Sequence, residues 1–500
     1  MITMRTFKTA LFLGLLIGFS IGISACAPAA PVDASKARSR AVIQSGNIVS
    51  AEELRVAEYL NYYEQDFPEP VATALGLDLR PGNPVLPVGG GEAWVQIGLQ
   101  AKSAEPVDVA PLNLALVIDR SGSMDAPEKM PYVKQSIRAF LESLAVNDRV
   151  AIVIYNDRAD LIVPAREVGD GSWIAAAVDR LTPGGSTNLY DGLMLGFREV
   201  DRGFDVRRNN RVILLTDGIA NVGVTDADRI AADALAYNER GIHLSTIGLG
   251  REFNDALLSQ LAIQGQGAYH FIDSAEEMDR VFRDEPLGLI QKAAGEVSIV
   301  LRPAEGVRLV ALTGYEGEPP AGPVQVRLRD TGTGESQVLL ARLHADPGRT
   351  GRRELATVEL RYTDLFAQRQ ETITLPVYVE VSTASGYDPL WDLEVLRNVT
   401  IQRTAEGLRE IDRLYQAQRY QAAWDVAYQL EQRLREVARL TGEEQMAKDA
   451  DLLRSYQATL ARWVQSQTGR PPLSPEQPEP TRFYRGREVA TPAMPVIEVK

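Results

Sequence analysis

The sequence predicts an α/β fold, a doubly wound and mostly parallel sheet, accompanied by an antiparallel β-sandwich and a C-terminal helical region. Three observations carry this. Between Pro111 and Glu285 apolar strand-like runs alternate with amphipathic stretches, the pattern of a parallel sheet covered on both faces. From Val297 to Val381 short β-prone runs follow one another between Gly, Pro and Asp turns, the spacing of an antiparallel sandwich. From Trp391 to Val464 apolar residues recur at helical intervals instead.

In the α/β region strands are expected at Leu112–Ile118, Val150–Tyr155, Asp160–Pro164, Val212–Leu215, His243–Ile247 and Ala268–Ile272. Helices are expected at Val133–Leu144, Ile174–Leu181, Leu189–Asp201 and Ala227–Arg240. The first strand is apolar on both faces, as a central strand is. The step Asn156-Asp157-Arg158 after Tyr155 is too short for a crossover helix, so that pair reads as an antiparallel hairpin at the sheet edge.

The flanks complete the architecture. Ser50-Ala51-Glu52-Glu53 is a capping box opening a helix to about Tyr63. Alternation in Ala93-Trp94-Val95-Gln96-Ile97-Gly98-Leu99 marks a strand that precedes the α/β region and has no partner within it. It is expected to return to the later sandwich, making the α/β region an insertion; a small separate hairpin is the alternative. The C-terminal stripes, such as Tyr420, Ala423, Trp424 and Ala427, read as a helical hairpin or three-helix cap. The expected division is therefore 1–25 signal peptide, 26–48 lipid attachment and tether, 49–110 N-terminal helix and first sandwich strand, and 111–285 α/β domain. The sandwich then takes 286–388, the helices 389–467 and a Pro-rich tail 468–500.

At the end of the first strand stand Asp119, Ser121 and Ser123. Ligands bind at the carboxyl ends of strands in open α/β sheets. One carboxylate and two hydroxyls suit a hard divalent cation and suit soft metals poorly. Gly184-Gly185-Ser186-Thr187-Asn188 adds a glycine-rich turn with a hydroxyl, and Val212–Leu215 runs through Thr216 into Asp217. The set resembles the metal-ion-dependent adhesion site of von Willebrand factor type A domains. Asp119, Ser121, Ser123, Thr187 and Asp217 match that motif position by position, and the resemblance covers roughly Pro111 to Glu285. It implies the Rossmann-like type A fold, a bound Mg²⁺ or another divalent cation such as Ca²⁺ or Mn²⁺, and a partner protein whose carboxylate can complete the metal's coordination. Asp191 reads as a helix cap or as a residue behind the ligands, the cap being preferred.

Catalysis is not expected. A phosphatase of the haloacid dehalogenase kind needs a second aspartate two residues after the first, and that position is Ser121, whose hydroxyl cannot serve as general acid. The three histidines, His243, His270 and His344, lie in separate contexts and read as structural. The alternative to a binding protein is a metal-dependent phosphoesterase-like enzyme of the cell envelope. A net charge of −14 argues against nucleic acid as partner.

Arg5 and Lys8 precede the apolar stretch Ala10 to Ile23, which is a secretory signal. It ends Ile23-Ser24-Ala25-Cys26, and Cys26 is the single cysteine of the chain. This resembles the lipobox of bacterial lipoproteins, implying lipidation at Cys26 and attachment to the extracytoplasmic face of an envelope membrane. An uncleaved anchor is the alternative, although the apolar core is short of the roughly 20 residues a span requires. A lone cysteine also excludes intrachain disulfides.

Overall fold

The computed structural model describes residues 34–473 except 104–109, 127–128, 142–143, 251–252, 273–280, 282–291, 316 and 384–387. The expected signal peptide, Cys26 and most of the Pro-rich tail lie outside the described residues.

Helices α1 (Ala34–Gln44) and α2 (Val56–Asn61) lead into strands β1 (Leu75–Pro81), β2 (Val85–Pro87) and β3 (Gly91–Ala101). The α/β unit supplies β4 (Leu112–Asp119), β5 (Arg149–Tyr155), β6 (Ala159–Glu167), β7 (Asn209–Thr216), β8 (His243–Leu249) and β9 (Gln266–Ile272). Its helices are α3 (Lys129–Leu141), α4 (Ser172–Asp179), α5 (Leu189–Arg202), α6 (Ala227–Asn238) and α7 (Asp255–Gln264). Strands β10 (Lys292–Pro303), β11 (Val307–Leu312), β12 (Val324–Arg327), β13 (Thr331–Gly332), β14 (Ser336–Ala345), β15 (Gly351–Asp364) and β16 (Arg369–Ser382) follow. Helices α8 (Leu393–Gln416), α9 (Tyr420–Thr441) and α10 (Glu444–Thr468) close the described chain.

The α/β sheet has the order β6-β5-β4-β7-β8-β9. All its pairs are parallel except the edge hairpin β5–β6. Central β4 is buried throughout: Leu114, Leu116 and Ile118 pack into one core, Ala115 and Val117 into the other. Helix α5 lies hard against the second face. A Cβ on Gly196 would stand 2.4 Å from Val117 Cγ2, and one on Gly192 2.5 Å from Tyr155 Cδ1. That close approach delivers the residues before α5 to the carboxyl ends of β4 and β7.

The sandwich pairs a sheet β1-β3-β14-β11 with a sheet β12-β10-β15-β16-β2, β13 flanking β10. Trp94's strand runs antiparallel to β14, Ala93 opposite Leu343 and Leu99 opposite Gln337. Because β2 also joins β16, each sheet combines strands from before and after the α/β unit, which is therefore inserted into the sandwich. Three strands, not one, precede the insertion. Strand β1 was not expected, although Leu75, Leu77 and Leu79 alternate with Gly76, Asp78 and Arg80 as in a strand; Arg80 pairs there with Glu394 of α8.

Nor is β3 open on one side. Ala93, Val95, Ile97 and Leu99 enter the sandwich core, while Gln96 exchanges hydrogen bonds with Glu394 and Asn398 of α8, at 2.7 Å each. Gly98 lies beneath the Phe67 ring, where a Cβ would stand 2.6 Å from Cε1. Helices α8–α10 thus form a three-helix cap over the outer face of this sheet, sharing one core with Leu54, Tyr59, Leu60, Trp94 and Leu340.

Two N-terminal expectations are corrected. Residues 34–44, read as tether, form α1, with Ala37 and Ala41 buried in the core of the α/β unit. Its own composition carries no apolar stripe; the burial is supplied by its neighbours, and Lys36 pairs with Asp449 of α10 at 2.9 Å. Ser50 caps only a short 3₁₀ turn, Ala51–Glu53, before α2 begins at Val56. Asp412 accepts from Ala51 N–H at 2.9 Å and Arg409 donates to Leu54 C=O, so tertiary partners satisfy the backbone that one continuous helix would have used.

Candidate metal centre

Three loops meet where β4 and β7 end. Asp119 is the last residue of β4 and fully buried. One of its oxygens accepts from Ser121 N–H (2.8 Å), the other from the Thr216 hydroxyl (2.8 Å). Ser121 Oγ stands 3.0 Å from Ser123 Oγ, and Ser123 Oγ donates to Asp217 Oδ1 at 2.7 Å. Thr187 comes from the loop before α5; a Cβ on Gly218 would lie 3.3 Å from Thr187 Oγ1 and 3.8 Å from Ser123 Oγ, which sets both hydroxyls beside Asp217. All five residues read from the sequence therefore converge.

The loops are clamped by their backbones. Gly122 N–H donates to Gly185 C=O (2.9 Å) and Gly184 N–H to Arg120 C=O (2.8 Å), joining the first loop to the second. Asn221 joins the second to the third: its side-chain oxygen accepts from Thr187 N–H (2.8 Å) and its N–H donates to Thr187 C=O (3.0 Å). Gly185, at φ +88°, takes a left-handed conformation open to glycine, and a Cβ there would meet Asp157 Oδ2 at 2.6 Å. Asn188 caps α5 and bonds Asp191 reciprocally, which accounts for Asp191 as a capping partner.

Electrostatically the site calls for a cation. Burial pushes the Asp119 carboxyl above its usual range, hydrogen bonds from Ser121 oppose this, and neighbouring Asp217 raises it further. Asp217 is itself buried, and Lys129 at the start of α3 places its ammonium 2.5 Å from Asp217 Oδ2. That ammonium brings a positive charge against the oxygen cluster. No group of three or more His, Cys, Asp or Glu suited to a metal occurs among the described residues. The donors are hydroxyls as much as carboxylates, a set that fits a hard cation retaining open positions. Asp119, Ser121, Ser123, Thr187 and Asp217 would hold it.

Residues 113–284 match the family model of the von Willebrand factor type A domain. This type A domain holds all five converging residues. Over 274 residues the chain is 29% identical to the uncharacterised protein YfbK of Escherichia coli, covering 53% of this chain and 47% of YfbK. Over 315 residues it is 27% identical to the uncharacterised protein sll0103 of Synechocystis sp., covering 61% of this chain and 74% of that one. Both alignments are longer than the type A domain, yet the chain matches only about half the length of YfbK. A solved von Willebrand factor type A structure from Catenulispora acidiphila is 20% identical, with a TM-score of 0.49 over 78% of this chain and 91% of its own.

Several residues that shape the type A site were not singled out by the sequence. Thr216 adjoins Asp217 and Asn221 lies four residues beyond it, so proximity to the motif was their only signal. Lys129 carried none. The histidines are spread over β8, β9 and β14.

Proposed function

We propose that this chain is an exported protein, lipid-anchored through Cys26 to the extracytoplasmic face of an envelope membrane. In this reading its type A domain binds Mg²⁺, or another divalent cation, and through it a partner protein. The observation that carries the reading is the convergence of Asp119, Ser121, Ser123, Thr187 and Asp217 from three loops, with the Lys129 ammonium against Asp217. The rim supports a protein partner. Ile219 and Val222, on the loop after Asp217, are 58% and 36% exposed, an unusual position for apolar side chains beside buried carboxylates. A partner carboxylate would complete the cation's shell while its apolar neighbours cover these two. The chain's own residues orient the cation through the backbone clamps and keep Asp119 from moving through Ser121 and Thr216. The role is binding or envelope assembly rather than turnover, since Ser121 stands where a phosphoesterase would require an acid.

The test is thermal melting of wild type and Asp119→Ala, each in Mg²⁺ and in EDTA, beside a pull-down from envelope extract under the same conditions. A cation that binds only the folded chain adds roughly 2.7 kcal/mol at a hundred times its dissociation constant. The wild-type melting temperature should therefore rise by about 5–10 °C, the variant's should not, and the partner should elute with EDTA. A wild type indifferent to EDTA would reduce these residues to a polar loop.

A further inference from the structure

At the opposite end of β7 from Asp217, a cavity of about 500 Å³ opens between the type A domain and the sandwich. Arg211, His243 and Asn209 line it from the type A side, Lys292, Glu296 and Asp330 from the sandwich side. Arg211 is fully buried near the start of β7, its register neighbour being His243 of β8. Its Nη1 donates to Ser245 Oγ at 2.8 Å, but Nε and Nη2 are buried without a hydrogen-bond partner. Those two nitrogens share one edge of the guanidinium, the edge that grips two oxygens of a carboxylate or phosphate together. Nor does Lys292 pair with a carboxylate among the described residues; its ammonium reaches only Asp330 C=O, at 3.4 Å. The nearby Glu335 is already held by Arg329 and by Gly332 N–H. Glu296 is exposed and accepts from Thr363, while the partly buried carboxylates of Glu335 and Asp330 lie near Lys292 without forming an ion pair with it.

Leaving a buried guanidinium edge unpaired is costly, and a neutral occupant would not compensate its charge. We propose that this cavity binds a small oxyanion, a phosphate or carboxylate, contacted by the Lys292 ammonium and compensating the buried, unpaired Nε–Nη2 edge of Arg211 behind it, so that the anion bridges the type A domain and the sandwich. Burial accordingly holds Lys292 down to about 8 and Arg211 to about 10, and it keeps His243 neutral, its pKa lowered to about 3, as a hydrogen-bonding wall. The exposed carboxylate of Glu296 disfavours large polyanions.

The test uses the full chain in EDTA, which removes the metal centre from the measurement. Calorimetric titration and melting curves are recorded with inorganic phosphate, acetate and chloride at matched ionic strength. Phosphate or acetate should bind and raise the melting temperature where chloride does not, and Arg211→Gln should weaken binding about tenfold or more. Lys292→Gln, outside the parallel sheet, gives the same readout if the first variant does not fold. Asp119→Ala should keep the response. Equal behaviour in all three salts, or an oxyanion response surviving both the Arg211 and Lys292 changes, would overturn the site.

Discussion

Lys129 stands against the proposed metal centre without belonging to it. Its ammonium contacts buried Asp217, so an arriving cation meets a like charge at contact distance and must displace it. Lys129→Met should act in two opposite ways. Without metal the variant should be less stable, by about 1–3 kcal/mol. Removing one partner of a buried pair costs about 3–5 kcal/mol, and the partial exposure of Lys129 lowers that figure. With Mg²⁺ the binding should tighten, because no ammonium need be moved aside. Melting curves in EDTA and in saturating Mg²⁺ should consequently lie further apart than in wild type, and an unchanged or narrowed gap would show that Lys129 does not share the cation's place. At this scale Asp119, Ser121, Ser123, Thr187 and Asp217 were legible because each lies at a fixed offset from a strand end or a glycine turn. Lys129 was not, because its meeting with Asp217 depends on how α3 folds back across the loops.

Among the elements, β3 has the largest consequences. It inserts Val95, Ile97 and Leu99 into the sandwich core, and at roughly 1.5–3 kcal/mol for each buried side chain it contributes about as much as the net stability of a domain. The fragment from Pro111 to Glu285, whose sheet is complete in itself, should unfold cooperatively when expressed alone. Residues 292–383 expressed without 73–103 should not, since β14 would present an unpaired edge and β16 would lose β2. Circular dichroism melts of both fragments check this, and a cooperative transition in the second would show that the early strands are dispensable. Alternation identified β3 as a strand, but not that both its faces are covered. That depends on α8 and Phe67, which lie far away in sequence. Helix α1 makes the same point more strongly, since its order comes from Asp449 and from the core of the type A domain.

For the whole molecule, the position of α1 limits its reach. Helix α1 begins at Ala34, and the segment from Cys26 to that point can extend at most about 30 Å. An anchor at Cys26 would therefore hold the body close to the lipid surface instead of on a long tether. Cys26→Ser should abolish incorporation of labelled fatty acid and move the protein from the detergent phase to the aqueous phase. Unchanged partitioning would dismiss the lipid anchor. None of the described helices is long and apolar enough to cross a membrane.

By itself the sequence determined the layering of the chain and which oxygen donors gather at the end of β4. Hydrophobic period is a local property, and a motif read along one loop needs no partner to be recognised. The hairpin at Asn156-Asp157-Arg158 was equally local, since three residues cannot span a crossover. Only the tertiary structure decided what the insertion requires of its host, with β1 and β3 paired in one sheet and β2 added to the other. It also decided that an Ala- and Ser-rich segment becomes helix α1, and that Arg211 is buried with one edge of its guanidinium unpaired beside a cavity between two domains. These features depend on which distant surfaces come to cover a segment, and burial by a remote partner leaves no period in the segment it covers.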